Sequence, residues 1–224
     1  MTAESKLPER SAVVLAGGHS TRFGEADKAV ANLAGTPMIR RVADRVRPLV
    51  DDLVVNCRAE QVSAIRDALE PGTHSTDTDR DHAICFAVDP VPDQGPVAGI
   101  AAGLRAASGE YAAVVACDMP FVDPDLLTHL FDRAVGHDAA VVRVDEWFQP
   151  TQAVYRSDAT AEACERALER DERRIVEAIA DLDYAVLEEP EIREYAALET
   201  FENVNTREEL EAAAERIAAG GRSN

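Results

Sequence analysis

The sequence predicts an α/β protein, with a mostly parallel sheet as its middle layer and helices covering both faces. Three observations carry this. Short apolar runs alternate with helical stretches along most of the 224 residues, which is the spacing of repeated βαβ units. The run AAVVA at residues 112–116 is apolar throughout, as in a strand buried on both faces. The first apolar run leads straight into a glycine-rich segment, LAGGHSTRFGEADK at residues 15–28, as phosphate-binding loops do.

Taken in order, Ala12–Leu15 is the first strand. Met38–Leu49 has helical periodicity, with Pro37 at its start. Leu53–Asn56 is a second strand, Gln61–Leu69 a second helix and Ile84–Val88 a third strand. Pro96–Ala107 reads as a small-residue helix and Tyr111–Ala116 as a fourth strand. Asp125–Val135 is helical and Ala139–Val144 a fifth strand. Beyond Pro150 the pattern loosens. Thr151–Tyr155 reads as a strand that could run antiparallel, followed by helices at Ala159–Leu168 and Arg174–Leu182. Tyr184–Leu187 is a late strand and Arg207–Ala219 an amphipathic terminal helix. Thr73–His82 is polar and acidic, as an exposed loop would be. With no repeat and no linker, one domain over 1–224 is expected, its nucleotide-binding half at about 11–145 and an acceptor-binding part at about 146–219.

Acids outnumber bases 42 to 23, a formal net charge of −19, which excludes a general nucleic-acid-binding face. It does not exclude a nucleotide site, because a few arginines and a metal reverse the field locally. Many acids, many alanines and only two lysines resemble the surface of a protein from a high-salt cytoplasm. Cys57, Cys85, Cys117 and Cys164 have no zinc or CxxC spacing, and three of them sit at or near the ends of apolar runs, as buried thiols do. No secretory leader and no apolar run of membrane length is read, so a reduced, cytoplasmic protein without membrane partners is the expectation.

In open parallel sheets ligands bind beyond the carboxyl ends of the strands. That rule selects AGGHSTRFG after the first strand, Asn56 and Cys57 after the second, Asp89 and PVPDQGP after the third, and CDMPF with Asp118 after the fourth. The glycine segment is neither a Walker motif nor GxGxxG, which disfavours a dinucleotide redox cofactor. Backbone N–H groups around Gly17 and Gly18 can cradle phosphate oxygens, and Arg22 and Lys28 add charge to grip a polyphosphate. Lys28 is one of the two lysines; the other, Lys6, lies in a polar tail. Asp118 ends a buried strand, where a carboxylate can hold Mg²⁺ against triphosphate oxygens; helix capping is the alternative, for which Asp123 is better placed. Asn56 and Asp89 could read a base edge, and guanine's N–H donors suit Asp89, with Asp93 as its competitor and a turn before Pro90 as the other reading. Ala98, Gly99, Ala102 and Gly103 let their helix come close to the sheet or to a ligand. Asn203 and Asn205 precede the last helix, which Thr206 can cap, so both amides could reach the crevice. Arg173–Arg174 could meet an anionic substrate or simply be solvated. The five histidines have no ligand spacing.

The blocks LAGGHSTRFGEADKA, DQGPVAGI, CDMPF, QPTQAVY and FENVNT, in this order and spanning roughly Val13 to Leu210, resemble the molybdenum cofactor guanylyltransferase family. The first block alone marks the wider nucleotidyltransferase superfamily, with its Rossmann-like, nucleotide-diphospho-sugar transferase-like three-layer fold; the later blocks narrow it. The resemblance implies that GTP and molybdopterin cofactor give the guanine dinucleotide form and pyrophosphate, with Mg²⁺. It implies nucleotide contacts from Leu15, Ala16, Gly17, Gly18, Lys28, Asn56, Asp89 and Asp118, with Asp118 also the metal ligand. Arg22, Arg174, Asn203 and Asn205 match positions linked to the acceptor or catalysis, and Arg22, Lys28 and Asp118 form the catalytic set. It also implies transient contact with cofactor-biosynthesis proteins or apo-molybdoenzymes. The chain departs from the family in its acidic Glu25–Asp27 stretch and in the extra polar loop before Ile84. A sister transferase using CTP and a non-catalytic nucleotide-binding assembly partner are the competing readings.

Overall fold

The computed structural model describes residues 9–18, 27–70, 84–88 and 95–220; the polar segment Thr73–His82 lies outside them. Strand β1 (Arg10–Leu15) is followed by a hairpin of β2 (Asn32–Leu33) and β3 (Thr36–Pro37), then by helix α1 (Met38–Val46) and β4 (Asp52–Cys57). Helix α2 (Val62–Leu69), β5 (Ile84–Val88), α3 (Pro96–Ala106), β6 (Tyr111–Ala116), α4 (Pro124–Ala134) and β7 (Ala139–Val144) continue the alternation. The remainder comprises β8 (Trp147–Phe148), β9 (Gln152–Arg156), α5 (Ser157–Glu169), α6 (Ile175–Ile179), β10 (Tyr184–Glu188), α7 (Glu189–Ile192) and α8 (Arg207–Gly220).

Among the described residues the main sheet has eight strands in the order β10-β7-β9-β6-β1-β4-β5, with β8 paired to β7. β1 pairs in parallel with both β4 and β6, and β4 with β5. β9 is antiparallel to both neighbours, β6 and β7, because a tight hairpin at Asp145 (φ 51°) turns the chain back from β7. Period-two alternation sorts the strand side chains between two cores. Ala12, Val14, Ala113 and Val115 pack with α1, α2, α4 and α7. Val13, Val54, Ala112 and Val114 pack with α3, α5 and α6 on the opposite face. This is the expected three-layer, mostly parallel sandwich. A small third cluster joins Leu33, Met38, Val204 and Ala213, fastening α8 to the hairpin. No helix among the described residues is long and apolar enough to cross a membrane.

Two expected helices are shorter than their pattern. The stretch from Met38 leaves α geometry at Val46 and finishes as a 3₁₀ turn over Arg47–Leu49, because Pro48 has no N–H to give to an earlier carbonyl. The stretch after Arg174 is helical only over Ile175–Ile179, then turns through a Leu182 N–H to Ile179 carbonyl bond into β10. Asp123 caps α4 by accepting the N–H groups of Asp125 and Leu126, with Pro124 at the first helical position.

The topology fixes where a ligand can lie. From β1 the chain moves outward through β4 to β5, then crosses back to β6 on the other side of β1. The switch point is the gap between β1 and β6, where Leu15 and Ala116 are register partners. The segments that follow β1 and β6 lead to α1 and α4, which pack in the same layer, and the strand order reverses between them, so the carboxyl ends of β1 and β6 are where a ligand is expected.

Candidate active site

Three residues far apart in sequence converge beyond that switch point. Lys28 Nζ donates to Asp118 Oδ2 at 2.5 Å and to Asn205 Oδ1 at 2.7 Å. Lys28 opens a 3₁₀ turn, Lys28–Val30, that Asp27 caps: its Oδ1 accepts the Ala29 N–H at 3.0 Å. Asp118 follows β6 in a turn closed by the Met119 N–H on the Ala116 carbonyl. The Asp118 carbonyl in turn accepts the Val204 N–H at 2.8 Å, which brings the FENVNT segment alongside. Thr206 caps α8 by accepting the Glu209 N–H, while the Glu209 carboxylate accepts the N–H groups of Asn205 and Thr206. With that work done by its neighbours, the Asn205 side chain is left to face Lys28.

The Lys28 and Asp118 side chains keep only 12% and 18% exposure. An ion pair withdrawn this far from water is a costly way to gain stability, so it points to chemistry. Among the described residues, Asp118 Oδ1 is buried and has no hydrogen-bond donor. A carboxylate oxygen left without a donor is what a cation ligand needs, and the residues therefore fit a divalent metal. Among the described residues no cluster of three or more His, Cys, Asp or Glu could cage an ion.

The start of the glycine segment is tied down from β4. Ala16 N–H donates to the Asn56 carbonyl at 2.8 Å and Cys117 N–H to the Leu15 carbonyl at 2.9 Å. The Gln61 amide donates to the Ala16 carbonyl at 3.1 Å and to Asp27 Oδ2 at 2.7 Å. Arg58 Nη1 donates to the Gly17 and Gly18 carbonyls at 3.1 and 3.2 Å. Leu15, Ala16, Gly17 and Gly18 thus line the crevice edge with their carbonyls already engaged. Arg58 and Gln61 are absent from the residues singled out in the sequence, although they lie just past the second strand, where the crevice rule points.

Asn56 is 2% exposed, and its amide donates to the Ala87 carbonyl at 3.1 Å. A Cβ added to Gly99 would lie 2.5 Å from Asn56 Oδ1, so α3 rests on this side chain through a glycine. The structure makes Asn56 part of the crevice floor. Gly95, at φ 78°, opens α3 with its Cβ position 3.3 Å from the Arg173 carbonyl, which sets the Arg173–Arg174 segment against the start of that helix. Arg173 pairs with Asp171, and the Arg174 N–H donates to Glu177. Arg174 and Asn203 are exposed. Arg22, Asp89 and Asp93 lie outside the described residues. Burial first, and the neighbouring Asp118 charge second, push the Cys117 thiol well above its ordinary pKa, so it is no nucleophile here.

Comparison with known proteins agrees with the fold. The family described as the MobA-like NTP transferase domain matches residues 12–183. A probable molybdenum cofactor guanylyltransferase of Natronomonas pharaonis is 50% identical over 212 residues, covering 95% of this chain and 100% of that protein. One from Haloferax mediterranei is 38% identical over 207 residues, covering 92% and 94%. The crystal structure of molybdopterin-guanine dinucleotide biosynthesis protein A from Archaeoglobus fulgidus superposes with a TM-score of 0.75 at 27% identity, covering 93% of this chain and 99% of that one. A nucleotidyl transferase from Methanothermobacter thermautotrophicus, at 18% identity and a TM-score of 0.70, shares the fold. With the switch-point crevice, the Lys28–Asp118 pair and matches over nearly its whole length, this chain belongs to the MobA-like NTP transferase family.

Proposed function

We propose that this protein transfers GMP from GTP to the terminal phosphate of molybdopterin cofactor, forming the guanine dinucleotide cofactor and pyrophosphate. The observation that carries the proposal is the convergence of Lys28, Asp118 and Asn205 at the switch point. A phosphate oxygen of the acceptor attacks the α-phosphorus of GTP, a new P–O bond forms, and the α–β bridging bond breaks to release pyrophosphate. The acceptor brings its own nucleophile, so positioning and charge are what the protein supplies. Lys28, with Arg22, holds the polyphosphate and the charge that develops on it. Asp118 would hold Mg²⁺, which when bound would supply further neutralisation of the phosphate oxygens. Leu15, Ala16, Gly17 and Gly18 take the nucleotide along the crevice edge, Asn56 supports it from beneath and Asp89 reads the guanine edge. Asn205 stands beside Lys28 on the acceptor side with Asn203 and Arg174.

The test is pyrophosphate release with Mg²⁺ and molybdopterin cofactor, comparing GTP, CTP and ATP at low salt and in molar KCl. Turnover confined to GTP supports the proposal. Turnover with CTP keeps the mechanism and removes the guanine assignment. Silence with all three, in folded protein that binds GTP, would leave a non-catalytic nucleotide-binding partner as the better reading.

A further inference from the structure

We propose that Gln61, together with Arg58, is the positioning group of the phosphate site: one turn of chain after β4 holds both ends of the glycine segment and thereby aims Lys28. The inference rests on the reading of Lys28 as the group that meets the donor phosphates. Gln61 is 3% exposed and uses every polar atom of its side chain. One amide hydrogen goes to the carbonyl of Ala16, where the segment leaves β1, and the other to Asp27, where the chain returns. Its Oε1 accepts the Arg58 N–H at 2.9 Å. A single buried amide therefore fixes Ala16 and Asp27 relative to each other.

Asp27 transmits the constraint. Its two oxygens are divided between Gln61 and the Ala29 N–H. The second bond sets the 3₁₀ turn that Lys28 begins, so Gln61 helps to determine where Lys28 Nζ stands against Asp118 and Asn205. Arg58 acts on the other side. C=O and N–H point in opposite directions across a trans peptide. By gripping the Gly17 carbonyl, Arg58 turns the Gly18 N–H away from itself, the direction in which an anion would have to lie to accept it. Arg58 and Gln61 bind backbone carbonyls and a capping carboxylate, so they shape the site without touching the reacting atoms.

Charge-swap variants test this. Gln61→Glu sets a carboxylate against Asp27 and the Ala16 carbonyl; adding Asp27→Asn restores a donor toward residue 61 while keeping an oxygen for the Ala29 N–H. Calorimetric titration with Mg–GTP, steady-state pyrophosphate release and thermal unfolding are measured for each variant. We expect Gln61→Glu to weaken GTP binding by about 30-fold and to lower kcat, with the KM for the acceptor changed by less than about twofold. The double variant should regain at least about tenfold in GTP affinity. Equal impairment of single and double variants, or donor and acceptor parameters failing together with the melting temperature, would show that Gln61 only supports the fold. The GTP-affinity pattern without turnover in the unmodified protein would uphold the positioning role and remove the proposed reaction instead.

Discussion

Lys28 and Asp118, ninety residues apart in the chain, meet with Nζ 2.5 Å from Oδ2, and the carboxylate's other oxygen is buried with no donor among the described residues. On this geometry an ammonium and a divalent cation compete for one carboxylate. Lys28→Met should let nucleotide-free protein bind Mn²⁺ about tenfold more tightly, read by electron paramagnetic resonance, because the resident positive charge is gone. The same variant should lose about 10²–10³-fold in kcat with GTP. Unchanged Mn²⁺ affinity would mean that the cation does not use Asp118.

Asp118→Ala should abolish measurable pyrophosphate release while the chain still folds. The side chain is only partly exposed and its partner Lys28 keeps a bond to Asn205, so the stability cost should stay near 1–3 kcal/mol. Circular dichroism melting beside the activity assay checks both halves. Retained turnover would sink the metal-ligand assignment.

Two glycines of α3 separate binding from stability. A Cβ at Gly103 would sit 2.3 Å from Val13 Cγ1 in the central strand, so Gly103→Ala should cost about 1–3 kcal/mol through overpacking. A Cβ at Gly99 would meet Asn56 Oδ1 at 2.5 Å and push that amide off the Ala87 carbonyl. Gly99→Ala should therefore raise the KM for GTP several-fold, as well as lowering the melting temperature. If the two variants match in GTP affinity, Asn56 is not part of the nucleotide floor.

Cys85 is exposed, whereas Cys57, Cys117 and Cys164 are buried. Burial pushes the Cys164 thiol up to about 12, with the Glu165 charge adding to it, and raises Cys117 as well. A raised thiol pKa keeps the sulfur protonated and unreactive as pH rises through neutrality. Iodoacetamide should modify one thiol rapidly in native protein, and all four only in denaturant. A second fast thiol would contradict the packing around β4, β6 or α5.

Most of this fold is legible in the sequence because βαβ units write themselves as apolar runs: β5, β6 and β7 match their patterns residue for residue. What escapes is short. The Lys28–Val30 turn, the strands β2 and β3, β8 and α7 have two to four residues each, too few to show a period. Within the site, Lys28 and Asp118 follow from strand ends and charge, and Asn205 from Thr206 being able to cap the last helix in its place. The orientation of Asn56 was available from alternation, since Val54 faces α3 and the side chain two residues on must do the same. Arg58 and Gln61 were hidden for a different reason. Their partners are mostly backbone carbonyls, which every residue carries, so no residue type marks the other end of the contact.

The charge of −19 makes its own demand on solvent. Exposed pairs such as Arg105–Glu165 and Arg143–Glu188 offset part of it, and salt weakens those pairs. With 42 acids against 23 bases, however, repulsion among unpaired carboxylates is the larger long-range effect. Screening should relieve more repulsion than it costs in attraction, so the melting temperature should rise with KCl. The Debye length is already about 10 Å at 0.1 M and about 3 Å at 1 M. If screening alone is at work, most of the gain arrives below about 0.5 M. A rise that continues through molar KCl, and is greater in KCl than in an equally concentrated chaotropic salt, requires cations bound among the surface carboxylates. A flat or falling melting temperature would show that the acidic surface is balanced by its arginines and sets no requirement for salt.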